Sequence, residues 1–87
     1  MKHAGRQTLQ QLSGLLAQIR QRHALKEKKL GIFYKGSKSF LHFHEDPAGI
    51  FADLGSGDGF DRYPVNTTEE RKLLLAALDR VLKQSMR

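Results

Sequence analysis

The chain has 87 residues, with 15 Lys and Arg against 9 Asp and Glu, and it contains no Cys and no Trp. This length predicts a single domain over residues 1–87, near the lower limit for a chain that folds on one apolar core. The absence of Cys excludes disulfides, thiolate zinc sites, iron–sulfur clusters and a cysteine nucleophile. No apolar run approaches the roughly 20 residues of a membrane span. The polar start predicts no signal peptide, so we expect a cytoplasmic protein with no membrane partner.

The elements predicted for the first half are a helix and two strands. Residues 1–7 are expected to be a disordered tail. Residues 8–27 place apolar side chains three and four positions apart along one stripe, which predicts a helix. Residues 30–35 and 39–45 are typical of strands, and Gly36-Ser37 between them is typical of a two-residue type II′ hairpin turn.

The second half predicts a third strand and a second helix. Asp-Pro-Ala-Gly at residues 46–49 is a turn signal, and residues 50–54 form the next strand. Residues 55–59 are rich in Gly and predict a flexible loop, and residues 60–65 are extended. A Thr-x-x-Glu capping box begins the helix predicted over residues 67–84. The predicted fold class is therefore α+β, in the order αβββα, with a three-stranded antiparallel meander between N- and C-terminal helices.

The predicted sheet has two different faces, because side chains alternate along a strand. One face is aliphatic and is expected to pack against the helices. The other face is predicted to carry three aromatic side chains: Phe33, Phe40 and Phe51. A contiguous apolar patch usually marks an interface, and a symmetric dimer is the commonest assembly. The leading interpretation is a non-catalytic interaction protein that forms a homodimer through these three residues.

Positive charge is concentrated in the first half and favours a second interpretation. Residues 1–44 hold nine Lys and Arg against one acid, a net charge of +8, whereas residues 45–87 carry −2. A basic surface can bind RNA or DNA. The candidate residues are Arg20, Arg22, Lys29, Lys35 and Lys38. Alternatively, the densest run is the solvated end of a helix, where cations suit the helix dipole.

A third interpretation concerns two histidines on one strand. His42 and His44 lie two positions apart and share a face, and Asp53 is expected opposite His42. Two imidazoles and a carboxylate can bind iron, zinc or manganese. Alternatively, His42 pairs with Asp53 and His44 packs on Phe51. His42 and Asp53 are also half of a catalytic triad, but no Ser lies in a nucleophile elbow. We therefore assign no catalytic residue and expect no cofactor.

Two resemblances concern the order of the elements. The segment Phe40-Leu41-His42-Phe43-His44-Glu45-Asp46-Pro47, with Arg62-Tyr63-Pro64, resembles a small bacterial domain family of uncharacterised function, which implies no activity. The αβββα order also resembles double-stranded-RNA-binding domains and HicA-type RNA-cleaving toxins. The former begin their second helix with Lys, where this chain has Thr67-Thr68-Glu69-Glu70. The latter carry Gly-Ser-His, where this chain has Gly36-Ser37-Lys38, so the catalytic His of that motif is absent.

Overall fold

Six antiparallel strands and three helices form the protein in the computed structural model, which describes residues 1–84. The elements are β1 Lys2–His3, α1 Arg6–Gln11, α2 Ser13–Arg20, β2 Lys26–Lys29, β3 Ile32–Lys35, β4 Lys38–Asp46, β5 Gly49–Ser56, β6 Gly59–Pro64 and α3 Thr68–Gln84. The strand order is β2-β3-β4-β5-β6, and β1 pairs with the second half of β4. The predicted α+β class is confirmed, but the sheet has six strands where the sequence predicts three.

The helix predicted over residues 8–27 is replaced by two helices and a strand. Leu12 lies between α1 and α2 with φ −99° and ψ 14°, outside the regular helical region. Its backbone N–H donates to the carbonyl of Leu9 at 3.0 Å, a tight turn of the 3₁₀ type between the two helices. The two residues that follow Leu12 are Ser and Gly, which have low helix propensity.

The basic run at the end of the predicted helix forms the edge strand β2 instead. Glu27 stabilises this arrangement, because its carboxylate accepts hydrogen bonds from Arg20 at 2.6 and 3.1 Å. The same carboxylate accepts the backbone N–H of Gly31 at 2.8 Å, in the turn from β2 to β3. Gly31 has φ +76°, and a Cβ there would lie 2.7 Å from the side chain of Leu9, so the turn requires glycine. Lys side chains on the edge strand also discourage pairing with another sheet.

The core lies between the helices and one face of the sheet. Residues from all three helices and from strands β3, β4 and β5 belong to one buried cluster, so the helices share that face. Arg22 after α2 and Asp79 on α3 join the helices through two hydrogen bonds of 2.9 Å. The buried apolar side chains are Leu9, Leu12, Leu15, Leu16, Ile19, Phe33, Leu41, Phe43, Ala52, Leu54, Val65, Leu74, Ala77, Leu78 and Leu82.

The pairing of β3 with β4 changes partway along the hairpin. Next to the Gly36-Ser37 turn the pairing is the predicted one, but further along Phe33 pairs with Leu41 instead of Phe40. The additional residue on β4 is a β-bulge, which reverses the faces of the β3 residues beyond it. Phe33 is therefore 1% exposed and belongs to the core. Its predicted position on the second face of the sheet is wrong, and Ile32 and Tyr34 lie on that face instead.

Two segments expected to lack regular structure have it. Residues 1–7, the predicted tail, contain β1 and the start of α1. The backbone N–H of Ala4 donates to the carbonyl of Phe43 at 3.0 Å and fixes the segment beside β4. In the predicted loop over residues 55–59, β5 continues to Ser56 and pairs it with Gly59, so only a two-residue turn remains.

The final helix begins with the predicted capping box. The backbone N–H of Glu70 donates to Thr67 Oγ1, and the backbone N–H of Thr67 donates to the Glu70 carboxylate, both at 3.1 Å. The backbone N–H of Asn66 donates to the same carboxylate at 2.8 Å. These bonds satisfy amide groups that a helix start leaves without partners, so the sequence identifies the beginning of α3 correctly.

Removal of the cap is expected to have a moderate effect on stability. Thr67→Ala should lower the free energy of unfolding by about 1 kcal/mol, because the Glu70 amide loses its acceptor. Urea unfolding followed by circular dichroism measures the change. Thr68→Ala is the matched control, since it removes an adjacent exposed hydroxyl outside the cap. An equal loss in both variants would show that the cap contributes nothing.

Candidate functional site

The sheet face opposite the helices carries a concentration of aromatic and imidazole side chains. No helix within residues 1–84 packs on it, because the buried residues of all three helices belong to the core on the other side. Phe60 is 49% exposed there, whereas most of its neighbours are half-buried. We call this surface the open face; it consists of His3, Ile32, Tyr34, His42, His44, Phe51, Asp53, Phe60 and Arg62.

Three histidines meet on the open face. Strand β1 pairs His3 directly with His44, and His42 lies two positions earlier on β4. The ring centroids are 4.7 Å apart for His3 and His44, and 5.0 Å apart for His42 and His44. One ring nitrogen of each histidine lies within 4.8 Å of those of the other two. Phe60 contacts His42 edge-on, with ring centroids 4.9 Å apart, and closes one side of the cluster.

Burial favours the neutral form of the two histidines on β4. It lowers the pKa of both His42 and His44, although the nearby Asp53 carboxylate acts in the opposite direction. The Nδ1 atoms of both rings are buried, and neither has a hydrogen-bond partner among the described residues. A buried polar atom without a partner costs about 1–3 kcal/mol. Such groups in a folded protein call for an explanation: the Asp53 carboxylate, 3.3 Å away, accounts for Nδ1 of His44, whereas Nδ1 of His42 has no such neighbour.

Asp53 lies beside the histidines and is held by Arg62. The guanidinium Nε and Nη2 donate to the two carboxylate oxygens at 2.8 and 2.9 Å. These hydrogen bonds hold the pKa of Asp53 below its usual value. Asp53 Oδ2 also lies 3.3 Å from His44 Nδ1. The structure therefore places Asp53 outside the three-histidine group, next to one of its members.

The three phenylalanines of the predicted interface do not lie together. Phe33 is in the core, and Phe40 is half-buried and packs against the core cluster. Phe51 lies on the open face, paired with His44 as the sequence predicts. Phe60, which the sequence does not assign to this face, is the most exposed aromatic ring there. A role of Phe40 and Phe51 in an interface stays a prediction.

The five basic residues considered for nucleic-acid binding lie on separate elements. Arg20 binds Glu27 and Arg22 binds Asp79, so two of the five positive charges are already paired. Lys29 ends the edge strand β2. The two remaining residues, Lys35 and Lys38, flank the β3–β4 turn and line a cavity of about 750 Å³ with Phe40 and Phe60.

Sequence reasoning missed His3, and it did not identify Arg62 as the partner of Asp53. His3 belongs to a strand of two residues, which is too short to show periodicity, and its partner His44 lies 41 positions further along the chain. Arg62 faces Asp53 across the β5–β6 hairpin. A two-residue turn at Gly57 and Asp58, joining Ser56 to Gly59, would have predicted that pairing, because turn length fixes the register.

Comparison with known proteins finds no match to this chain among protein-family models, curated proteins or solved structures. Within residues 1–84, no helix is long and apolar enough to cross a membrane. The fold and the site define a small α+β protein with a histidine-bearing antiparallel sheet face. Its function is therefore inferred from the open face.

Proposed function

We propose that the protein is a non-catalytic binding module that forms a homodimer through its open face. One observation carries this proposal: the three helices of residues 1–84 lie on one side of the sheet, while Tyr34, Phe51 and Phe60 lie on the other. Aromatic side chains are enriched at protein interfaces, where their rings lose water on association. Phe60, on the edge strand β6, is 49% exposed and gives such a contact an apolar ring to bury.

The size of the open face suits a weak dimer with a second copy of the same chain. Strands β2 to β6 have four, four, nine, eight and six residues. At about 3.3 Å per residue and about 4.8 Å between strands, they cover roughly 500 Å². A standard interface buries about 800 Å² on each partner, and weaker complexes bury less. A twofold axis would place two equal faces against each other, and packed sheets are a common core arrangement.

The electrostatics of the open face also favour a second copy. The carboxylate of Asp53 is neutralised by Arg62, and burial disfavours protonation of His42 and His44. Two copies would therefore meet without strong like-charge repulsion at the centre. Lys28 lies at one side, with its Nζ 4.6 Å from the centre of the Tyr34 ring, and forms part of a polar rim.

Sedimentation equilibrium in the presence of EDTA tests the homodimer. The unmodified protein is expected to be a dimer at high micromolar concentration, and Phe60→Asp a folded monomer, because a carboxylate at the interface would lose its water. Leu73→Asp is the matched control, since Leu73 is 66% exposed on α3, away from the open face. A monomeric unmodified protein, or equal dissociation by both substitutions, would overturn the proposal.

Binding of RNA or DNA is a second candidate. One observation favours it: Lys29, Lys35 and Lys38 form no ion pair with any acid in residues 1–84. The same sedimentation experiment, repeated with a short labelled oligonucleotide, separates the two candidates. Nucleic-acid binding would move the label with the protein at low salt and lose it at high salt, because phosphate contacts release counterions. A label that sediments alone at low salt would exclude it.

A further inference from the structure

We propose that His3, His42 and His44 form a site for one divalent transition-metal ion, with Zn²⁺ as the best fit. All three ligands come from one chain, so the site does not depend on the homodimer. Strand β4 supplies two imidazoles, and β1 supplies the third by pairing beside them. None of the three histidines belongs to the buried core cluster, and within residues 1–84 only His44 lies near an acid, with its Nδ1 3.3 Å from Asp53 Oδ2.

The distances are close to those of a metal site. The ring nitrogens lie within 4.8 Å of one another, whereas Zn–N bonds of about 2.1 Å at tetrahedral angles place nitrogens roughly 3.4 Å apart. The remaining difference of at most about 1.4 Å is within the reach of side-chain rotation. His3 is exposed, whereas His42 and His44 are half-buried, so the His3 side chain has the most room to adjust.

The chemistry of the ligands selects the class of ion. Imidazole nitrogens bind Zn²⁺, Cu²⁺, Ni²⁺ and Fe²⁺, whereas Mg²⁺ and Ca²⁺ prefer oxygen. Three protein ligands would leave a fourth position for water, as in open zinc sites.

Asp53 and Arg62 are placed to orient one of the ligands. Histidines that bind metals usually donate their second ring N–H to a carboxylate. Asp53 Oδ2 lies 3.3 Å from His44 Nδ1, so donation from Nδ1 would leave Nε2 of His44 as the ligand atom. The two hydrogen bonds from Arg62 keep Asp53 in this position.

The N-terminal segment is already positioned without a metal. The backbone N–H of Gly5 donates to the Glu45 carboxylate at 3.1 Å, and Lys2 Nζ lies 3.5 Å from the same side chain. Together with the hydrogen bond from Ala4 to the Phe43 carbonyl, these contacts place His3 beside His44. The site would therefore be largely formed before an ion binds.

Calorimetric titration with Zn²⁺, and visible spectroscopy with Co²⁺ as a coloured substitute, test the site. The protein should carry no histidine tag and no residue before Met1. We expect one ion per chain, and an affinity at least about 100-fold lower in His3→Ala, because losing even an outer-shell partner costs 10–100-fold. His23→Ala is the matched control: His23 is exposed between α2 and β2, and it should bind like the unmodified protein.

The variants also separate this three-histidine site from metal binding that does not involve His3. His3→Ala decides the question, because His3 is exposed and its loss should leave the circular dichroism spectrum unchanged. Unchanged affinity in that variant would overturn the three-histidine site, as would no Zn²⁺ binding at millimolar concentration or an equal loss in His23→Ala. One ion per two chains would also overturn a site built within one chain. The EDTA in the sedimentation experiment keeps the test of the homodimer independent of this result.

Discussion

Phe33→Ala is expected to lower the free energy of unfolding by about 3–5 kcal/mol, a large part of the 5–15 kcal/mol that is typical of a domain. The Phe33 ring is 1% exposed and packs in the core beneath the helices. Its removal would leave a cavity, because the sheet backbone on one side and the helices on the other cannot close the space completely.

Phe60→Ala is the matched control for this substitution. The Phe60 ring is 49% exposed, so the same change should cost only about 1 kcal/mol. Urea unfolding at two protein concentrations measures both variants and reveals any contribution from a dimer. A small loss of stability in Phe33→Ala, together with weaker self-association, would contradict the bulge. It would indicate that Phe33 lies on the open face.

The segments that could be predicted from the sequence are those with strong local signals. The turn over residues 46–49 fixes the β4–β5 register, so the predicted pairing of His42 with Asp53 and of His44 with Phe51 is confirmed. The apolar spacing and the Thr67-x-x-Glu70 box likewise predict α3. In each case, the information lies within a few residues of the element that it defines.

The bulge between β3 and β4 could not be predicted in this way. Ile32, Phe33 and Tyr34 are all apolar or aromatic, so the sequence does not show which of them faces the core. Packing decides the question: Phe33 fills the space beneath the helices, while the bulge moves its two neighbours to the open face. A one-residue change of register moves a whole strand face, and this change removed Phe33 from the predicted interface.

The histidine cluster depends on contacts that are distant in the sequence. His3 joins His44 only because β1 pairs with the second half of β4, beside β3 on the same edge. The predicted metal ligands His42 and His44 are therefore brought together with a residue from the predicted tail. The third predicted ligand, Asp53, is instead bound by Arg62. The sheet topology therefore determines which side chains meet at the site.

Arg62→Ala is expected to lower the free energy of unfolding by more than the loss of an ordinary surface cation, although Arg62 itself is on the surface. Asp53 is 6% exposed and accepts both of its close hydrogen bonds from Arg62. Without the guanidinium, an ionised carboxylate would remain buried beside His44 with no cation to offset its lost water. The partial exposure of Arg62 places the expected loss below that of a fully buried pair.

A double-mutant cycle separates this effect from a general loss at the surface. In the Arg62→Ala background, Asp53→Asn should recover part of the stability, because the neutral amide costs less to bury than the carboxylate. Arg80→Ala, at an exposed position on α3, should change the free energy of unfolding by no more than about 0.5 kcal/mol. Additive losses from Arg62→Ala and Asp53→Asn would mean that the two residues act independently. The charge at the centre of the open face would then not be neutralised by their pairing, and the electrostatic support for a second copy on that face would be lost.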